Sequence, residues 1–229
     1  MSVRPDSSLK LVIFDVDGTL VDSQGHILAS MDGAFRAHDL QSPGRDAILS
    51  IVGLSLPEAF VRLVPDHAHL RDDLTQAYKD TFMDLRSSGE AHSPLYPGAA
   101  EVLADLAVRD DVLLGVATGK SRRGLDHLIE VNGWERLFQT IQVADNHPSK
   151  PHPSMVMTCL AETGVEAVDA VMIGDTSYDM EMARSAGVRG VGVGWGYHPD
   201  DALIGAGAAQ VLPDFAALPG ALAQMWVQT

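Results

Sequence analysis

Short apolar runs that stop abruptly recur along this chain of 229 residues, and they constrain its fold more than any other feature. The first covers residues 9–14. Runs of the same kind lie at 112–117, 170–173 and 188–193, with weaker ones at 141–143 and 210–212. A strand buried on both faces reads this way, because helices cover a parallel sheet above and below. Helical patterns fill the intervals. Val102, Leu103 and Leu106 share one face after Pro97 and Gly98; Leu125, Leu128 and Ile129 share another, ahead of the stop at Asn132-Gly133. This alternation predicts an α/β fold, a doubly wound parallel sheet.

One stretch breaks the alternation. Between residues 20 and 93 no strand pattern occurs, only helical periodicity. Leu70, Leu74, Tyr78, Phe82 and Leu85 recur every three or four positions and line up one apolar stripe. Residues 47–50 and 56–63 read as shorter helices, set apart by Gly53 and Pro57. The expected organisation is a sheet domain from residues 1–20 and 94–229, carrying an all-helical insert at 21–93. The linkers would follow Leu20 and surround Ser93-Pro94-Leu95-Tyr96-Pro97-Gly98, where prolines and a glycine suit a hinge.

Sixteen Lys plus Arg against 31 Asp plus Glu leave a formal charge of −15. Such a surface repels nucleic-acid backbones and anionic lipid, so neither is an expected partner. An anionic substrate would need a locally built positive site, with a metal as the natural contributor. The single cysteine, Cys159, has no internal disulfide partner and suits a reducing compartment. Residues 1–8 show no leader pattern, and no window approaches the roughly 18 apolar residues of a membrane span. The expectation is a cytoplasmic, monomeric protein.

The polar clusters that end the runs carry the chemistry. Asp15-Val16-Asp17-Gly18-Thr19 closes the first, placing two carboxylates where open α/β sheets bind ligands. A carboxylate there can attack an electrophile and form a covalent intermediate; taken alone, the motif is equally an acidic turn. The second run ends in Thr118-Gly119-Lys120-Ser121, where a hydroxyl, an amide and a helix start suit phosphate oxygens. Ser121 equally suits a helix cap, and Lys120, beside Arg122 and Arg123, equally suits a solvated helix start. Lys150, flanked by Pro148, Pro151 and Pro153, is placed to offset phosphoryl charge or to be a surface cation. His147 and His152 lie beside it without a Cys or His cluster to make a metal site. The fourth cluster is Gly174-Asp175-Thr176-Ser177-Tyr178-Asp179. Carboxylates converging on one cleft repel each other unless a cation joins them, and oxygen ligands suit Mg²⁺. Asp179 alone would be an acidic residue at the positive end of a helix.

Taken in order, Asp15-x-Asp17-Gly18-Thr19, Thr118, Lys150 and Gly174-Asp175 with Asp179 resemble the motifs of the haloacid dehalogenase superfamily. The helical insert resembles its C1-type cap. The resemblance implies that Asp15 is the nucleophile and Asp17 the general acid and base. It implies that Thr118 and the Gly119 amide bind phosphate, and that Lys150 steadies both nucleophile and phosphoryl group. It further implies a Mg²⁺ ion held by Asp15, the Asp17 carbonyl and Asp175, with Asp179 ligating through water or orienting its neighbours.

An acid at position 17 suits phosphoryl transfer, in which a leaving alkoxide is protonated and water then activated. The dehalogenase branch lacks that acid, and the phosphonate-cleaving branch uses a cap lysine, for which Lys79 is the one candidate here. The expectation is a phosphatase acting on a small phosphate ester. Phosphoglycolate is the first guess, since Gly53-Leu54-Ser55-Leu56-Pro57-Glu58 resembles the cap loop of phosphoglycolate-phosphatase-like members, although the same residues read as a helix start. A β-phosphoglucomutase-like phosphomutase is the alternative, with Arg36, Arg45 and Arg62 as candidate cap contacts. A signalling receiver module phosphorylated on Asp is an alternative of another class. The glycine-rich 190–196 segment reads as a strand end, with Trp195 and Tyr197 packing. Cys159 reads as core.

Overall fold

In the computed structural model, which describes residues 9–88 and 93–227, six parallel strands form one sheet. They are β1 (Lys10–Phe14), β2 (Val112–Thr118), β3 (Thr140–Val143), β4 (Ala170–Gly174), β5 (Arg189–Val193) and β6 (Ala208–Leu212), in the order β3-β2-β1-β4-β5-β6. The chain therefore winds outward on one side of β1 and then returns to build the other. The topological switch falls between β1 and β4, where such sheets bind ligands at the strands' carboxyl ends.

Side-chain alternation explains the continuous apolar runs. Val12, Phe14, Leu114, Val116, Val171 and Ile173 enter one core, against α5 (Ala99–Ala107), α6 (Arg122–Asn132) and α10 (Leu218–Val227). Leu11, Ile13, Ala170 and Met172 point the other way, against α7 (Ser154–Thr163) and α8 (Ser177–Ser185). Strands β1, β2, β4 and β5 are thus buried on both faces with no polar phase, while the edge strands β3 and β6 carry Thr140, Gln142 and Gln210. Cys159 lies in the second core, where burial pushes its thiol up to about 12. A short helix, α9 (Asp200–Ala206), covers the β5–β6 edge.

Between β1 and α5 the chain is helical: α1 (Gln24–Ala37), α2 (Arg45–Leu49), α3 (Leu56–Leu63) and α4 (Arg71–Ser88). This insert has an apolar cluster of its own, in which Met31, Phe35, Ile48, Phe60, Leu74 and Tyr78 meet. Along the expected stripe, Leu74 and Tyr78 are buried and Phe82 is half-buried, while Leu70 ends the short 3₁₀ segment Pro65–Leu70 before α4. The two linkers hydrogen-bond to each other: Tyr96 N–H donates to the Leu20 carbonyl at 3.0 Å and Asp22 N–H to the Pro94 carbonyl at 2.8 Å. Residues 1–8, read above for a leader, and 89–92 of the insert lie outside the described residues. Among the described residues no helix is long and apolar enough to cross a membrane.

Candidate active site

Asp15 is the first residue after β1, tied down by its N–H to the Ile173 carbonyl at 2.9 Å. Asp175 is the first after β4, and Asp179 lies in the first turn of α8. One carboxylate oxygen from each of the three falls within 4.8 Å of the others, and all three residues are buried. No other such group of acids, histidines or cysteines occurs among the described residues. Lys150 completes the centre. It is 1% exposed, and its Nζ lies 2.6 Å from Asp179 Oδ1 and 2.9 Å from Asp15 Oδ1.

The partners of these groups divide their tasks. Asp179 caps its helix: Oδ2 accepts from Thr176 N–H at 3.0 Å and from Thr176 Oγ1 at 2.7 Å, and Oδ1 accepts from Lys150. Asp175 accepts from Thr19 Oγ1 at 2.9 Å and from the Tyr197 N–H at 2.9 Å. Asp15 differs. Lys150 attracts it but stands out of line for a hydrogen bond, so neither buried oxygen of Asp15 has a hydrogen-bond donor. Burial above all pushes the Asp15 carboxyl up to about 6, against the pull of Lys150 and with the push of Asp179. Burial, then the Asp15 and Asp179 charges, raises Asp175 well above the ordinary carboxylate range. The two donor-free oxygens of Asp15, crowded by the carboxylates of Asp175 and Asp179, offer hard ligands that suit a small divalent cation.

Gly18 turns the chain at φ +86°, and a side chain there would collide with the Asp175 carboxylate. The Asp17 carboxylate is not part of the three-acid group, though it lines the same cavity as Asp15. Both its oxygens accept from Lys120 Nζ, at 2.8 and 3.0 Å, and Lys120 also stands 5.2 Å from the centre of the Phe82 ring. Lys120 is thus no solvated helix start but a nearly buried partner of Asp17. Sequence reasoning left it open because the contact spans 103 positions. Thr118 is buried at the end of β2, its Oγ1 accepting the Lys120 N–H at 3.2 Å. Ser121 caps α6 by accepting the Gly124 N–H. Gly119 permits close approach of the insert: a methyl group there would lie 2.5 Å from the Gly53 carbonyl oxygen.

A cavity of about 930 Å³ separates insert from sheet, and Asp15, Asp17, Thr118, Gly119 and Lys120 line it, as do residues 53–57. Arg36, Arg45 and Arg62 do not. Arg62 pairs with Glu58 and Tyr178, and Arg45 reaches Gln24. The cations that do line it are Lys79, Arg86, Lys120, Arg122 and Arg123. His147 is held by Ser154 Oγ and Gln142 Oε1, and His152 Nδ1 accepts the Ser154 N–H. Trp195 packs against Phe215 and donates to the Thr19 carbonyl at 3.0 Å. Tyr197 was legible only as packing; its backbone N–H on Asp175 has no signature in residue type.

Across the insert–sheet boundary, Ser55 N–H donates to Ser149 Oγ at 2.9 Å, while Tyr178 Oη and His198 Nε2 both donate to the Ser50 carbonyl. The Ser177 N–H donates to His198 Nδ1, which fixes that tautomer, and burial lowers the His198 pKa.

Comparison with known proteins agrees with this arrangement. The profile of the haloacid dehalogenase-like hydrolases matches residues 12–193. The Probable phosphatase IndB of Dickeya dadantii is 34% identical over 92% of both chains. A phosphoglycolate phosphatase of Pseudomonas savastanoi is 29% identical over 93% of this chain and 80% of its own. A solved structure described as a predicted phosphatase from Clostridium acetobutylicum shares the fold, with a TM-score of 0.84 at 24% identity over 95% of this chain and all of that one. With its four motifs gathered around one crevice, this chain belongs to the haloacid dehalogenase-like hydrolase family.

Proposed function

We propose that the protein is a Mg²⁺-dependent phosphatase that cleaves a small phosphomonoester through a phosphoaspartate on Asp15. The observation that carries this reading is the buried meeting of Asp15, Asp175 and Asp179 with the ammonium of Lys150. Mg²⁺ would be held by the Asp15 and Asp175 carboxylates and the Asp17 carbonyl. Both Asp179 oxygens are already engaged, which favours its acting through water or by orienting Lys150. When bound, the ion neutralises the crowded acids and draws the substrate dianion in.

An Asp15 oxygen free of hydrogen bonds attacks phosphorus, and the bond to the leaving alkoxide breaks. Thr118 Oγ1, the Gly119 N–H and Lys150 Nζ support the phosphoryl oxygens as charge shifts. Asp17 gives its proton to the alkoxide. It then takes one from the water that attacks the phosphoaspartate, whose P–O bond breaks to release phosphate and regenerate Asp15. Both Asp17 oxygens are engaged by Lys120, so that pair must part first, freeing Lys120 to face the incoming dianion.

Residues 21–93 act as a cap that opens on the linkers at 20–22 and 93–98 and closes to exclude water. Their separate apolar cluster and sparse polar contacts with the sheet support this division. The receiver alternative fails on family membership. Phosphoglycolate is one compound that the relatives' names suggest, and pyrophosphate is another. Inorganic phosphate release from a panel of phosphomonoesters, with Mg²⁺ and with EDTA, tests the proposal. Absence of Mg²⁺-dependent turnover across the panel removes it.

A further inference from the structure

The cavity of about 930 Å³ is near the upper end of ligand clefts, which run roughly 300–1,000 Å³. A two-carbon acid phosphate occupies a small part of that space. The insert side of the cavity is an apolar wall: Ile27 and Met31 from α1, Val52 from the turn after α2, and Tyr78, Phe82 and Met83 from α4. Among the described residues, Lys79 and Arg86 of α4 are the cations on the insert side; the six wall residues themselves present mainly hydrocarbon and ring surface. Tyr78, only 8% exposed, carries a hydroxyl with no hydrogen-bond partner among the described residues, so one polar anchor is left over for a ligand. Lys79, Arg86 and Arg123 also line the cavity and are unpaired among the described residues; Lys79 and Arg123 are exposed, which suits drawing an anion to the opening.

Resting on the phosphatase reading above, we infer that the substrate is a phosphomonoester with a bulky, mainly apolar or aromatic leaving group, well beyond glycolate in size. Its phosphate faces Asp15 while its body lies against Ile27, Met31, Tyr78, Phe82 and Met83. Removing that wall and the ligand body from water together supplies the discrimination.

Phosphates of primary alcohols separate fit from leaving-group chemistry, because their alkoxides are similar in basicity. With Mg²⁺ present, kcat/KM for 3-phenylpropyl phosphate should exceed that for ethyl phosphate and for phosphoglycolate roughly tenfold or more. Calorimetric titration with the non-hydrolysable 4-phenylbutylphosphonate and ethylphosphonate should give the same order of affinity. Met83→Trp, and separately Met31→Phe, should shrink both ratios by filling the wall. Equal or better use of the small esters, equal phosphonate affinities, or ratios indifferent to both substitutions overturn the inference. Phosphonates that discriminate by size while no ester is hydrolysed would remove the phosphatase reading and leave the wall's role standing. Ester hydrolysis without size preference does the reverse.

Discussion

Lys120 Nζ sits 2.8 Å from one oxygen of Asp17 and 3.0 Å from the other, beside the Phe82 ring of the helical insert. The pair joins the loop after β1 to the loop after β2, and it holds the carboxylate assigned to proton transfer. On the proposed reading Lys120 holds Asp17 in the resting site and turns to the substrate dianion once the pair parts. Lys120→Ala should lower kcat/KM for phosphomonoesters about tenfold or more and change the shape of the pH–rate profile, with Lys120→Arg recovering part of the loss. A stability change alone, with activity and pH profile intact, reduces the contact to a structural ion pair.

The two aspartates of the first motif should separate by substitution. Asp15→Asn removes a carboxylate oxygen from the proposed nucleophile, so turnover should vanish. Asp17→Asn should cost roughly 10²–10⁴-fold, the usual worth of general acid–base catalysis, while the Mg²⁺-induced rise in Tm persists. Steady turnover by a clean Asp15→Asn preparation rules out the phosphoaspartate.

Metal binding and pH are linked through the buried acids. In the metal-free fold burial pushes Asp15 up to about 6 against 3.8 for an ordinary aspartate, and burial with the neighbouring charges raises Asp175 in the same direction. The folded state holds these protons more tightly than the unfolded chain. Their stabilisation is thus full below pH 3.8 and is lost as pH rises through about 6. Mg²⁺ competes with those protons. The Mg²⁺-induced increase in Tm should accordingly be small near pH 5 and grow toward pH 7.5, and Asp175→Asn should abolish it. A Tm increase independent of pH counts against binding at these carboxylates.

Tyr78 offers a test in which stability and activity part company. The residue lines the cavity and its hydroxyl has no hydrogen-bond partner among the described residues, so Tyr78→Phe should leave Tm nearly unchanged. If the hydroxyl serves the ligand, kcat/KM falls a few-fold, in keeping with one hydrogen bond of about 0.5–1.5 kcal/mol. An unchanged kcat/KM removes Tyr78 from substrate contact.

Gly119 lies where the insert seats on the sheet. A methyl group there would meet the Gly53 carbonyl at 2.5 Å and the Leu54 carbonyl at 2.9 Å, so Gly119→Ala should keep the insert from settling fully. The expected signature is a raised KM with a small loss of Tm, because each apolar cluster stays intact. Unaltered kinetics would mean that the insert adjusts at no cost.

Residue type and periodicity were enough for the six strands, the helical insert and the acids that end β1 and β4. Apolar runs buried on both faces and carboxylates at strand ends are local signals, and strand order places those ends together once the sheet winds both ways from β1. Lys150 was legible as a candidate but not as a buried bridge between Asp15 and Asp179. The cap arginines singled out from sequence point elsewhere, since nothing in a helical pattern says which exposed face meets a cleft. The engagement of Asp17 by Lys120, the Tyr197 amide on Asp175 and the fit of Gly119 under Gly53 join residues far apart in the chain. The first two are set by how loops at separate strand ends meet, and the third by how insert and sheet pack, rather than by any neighbour in sequence. Local patterns dictated which groups reach the crevice; distances of a few ångströms between separate elements decided how those groups are paired.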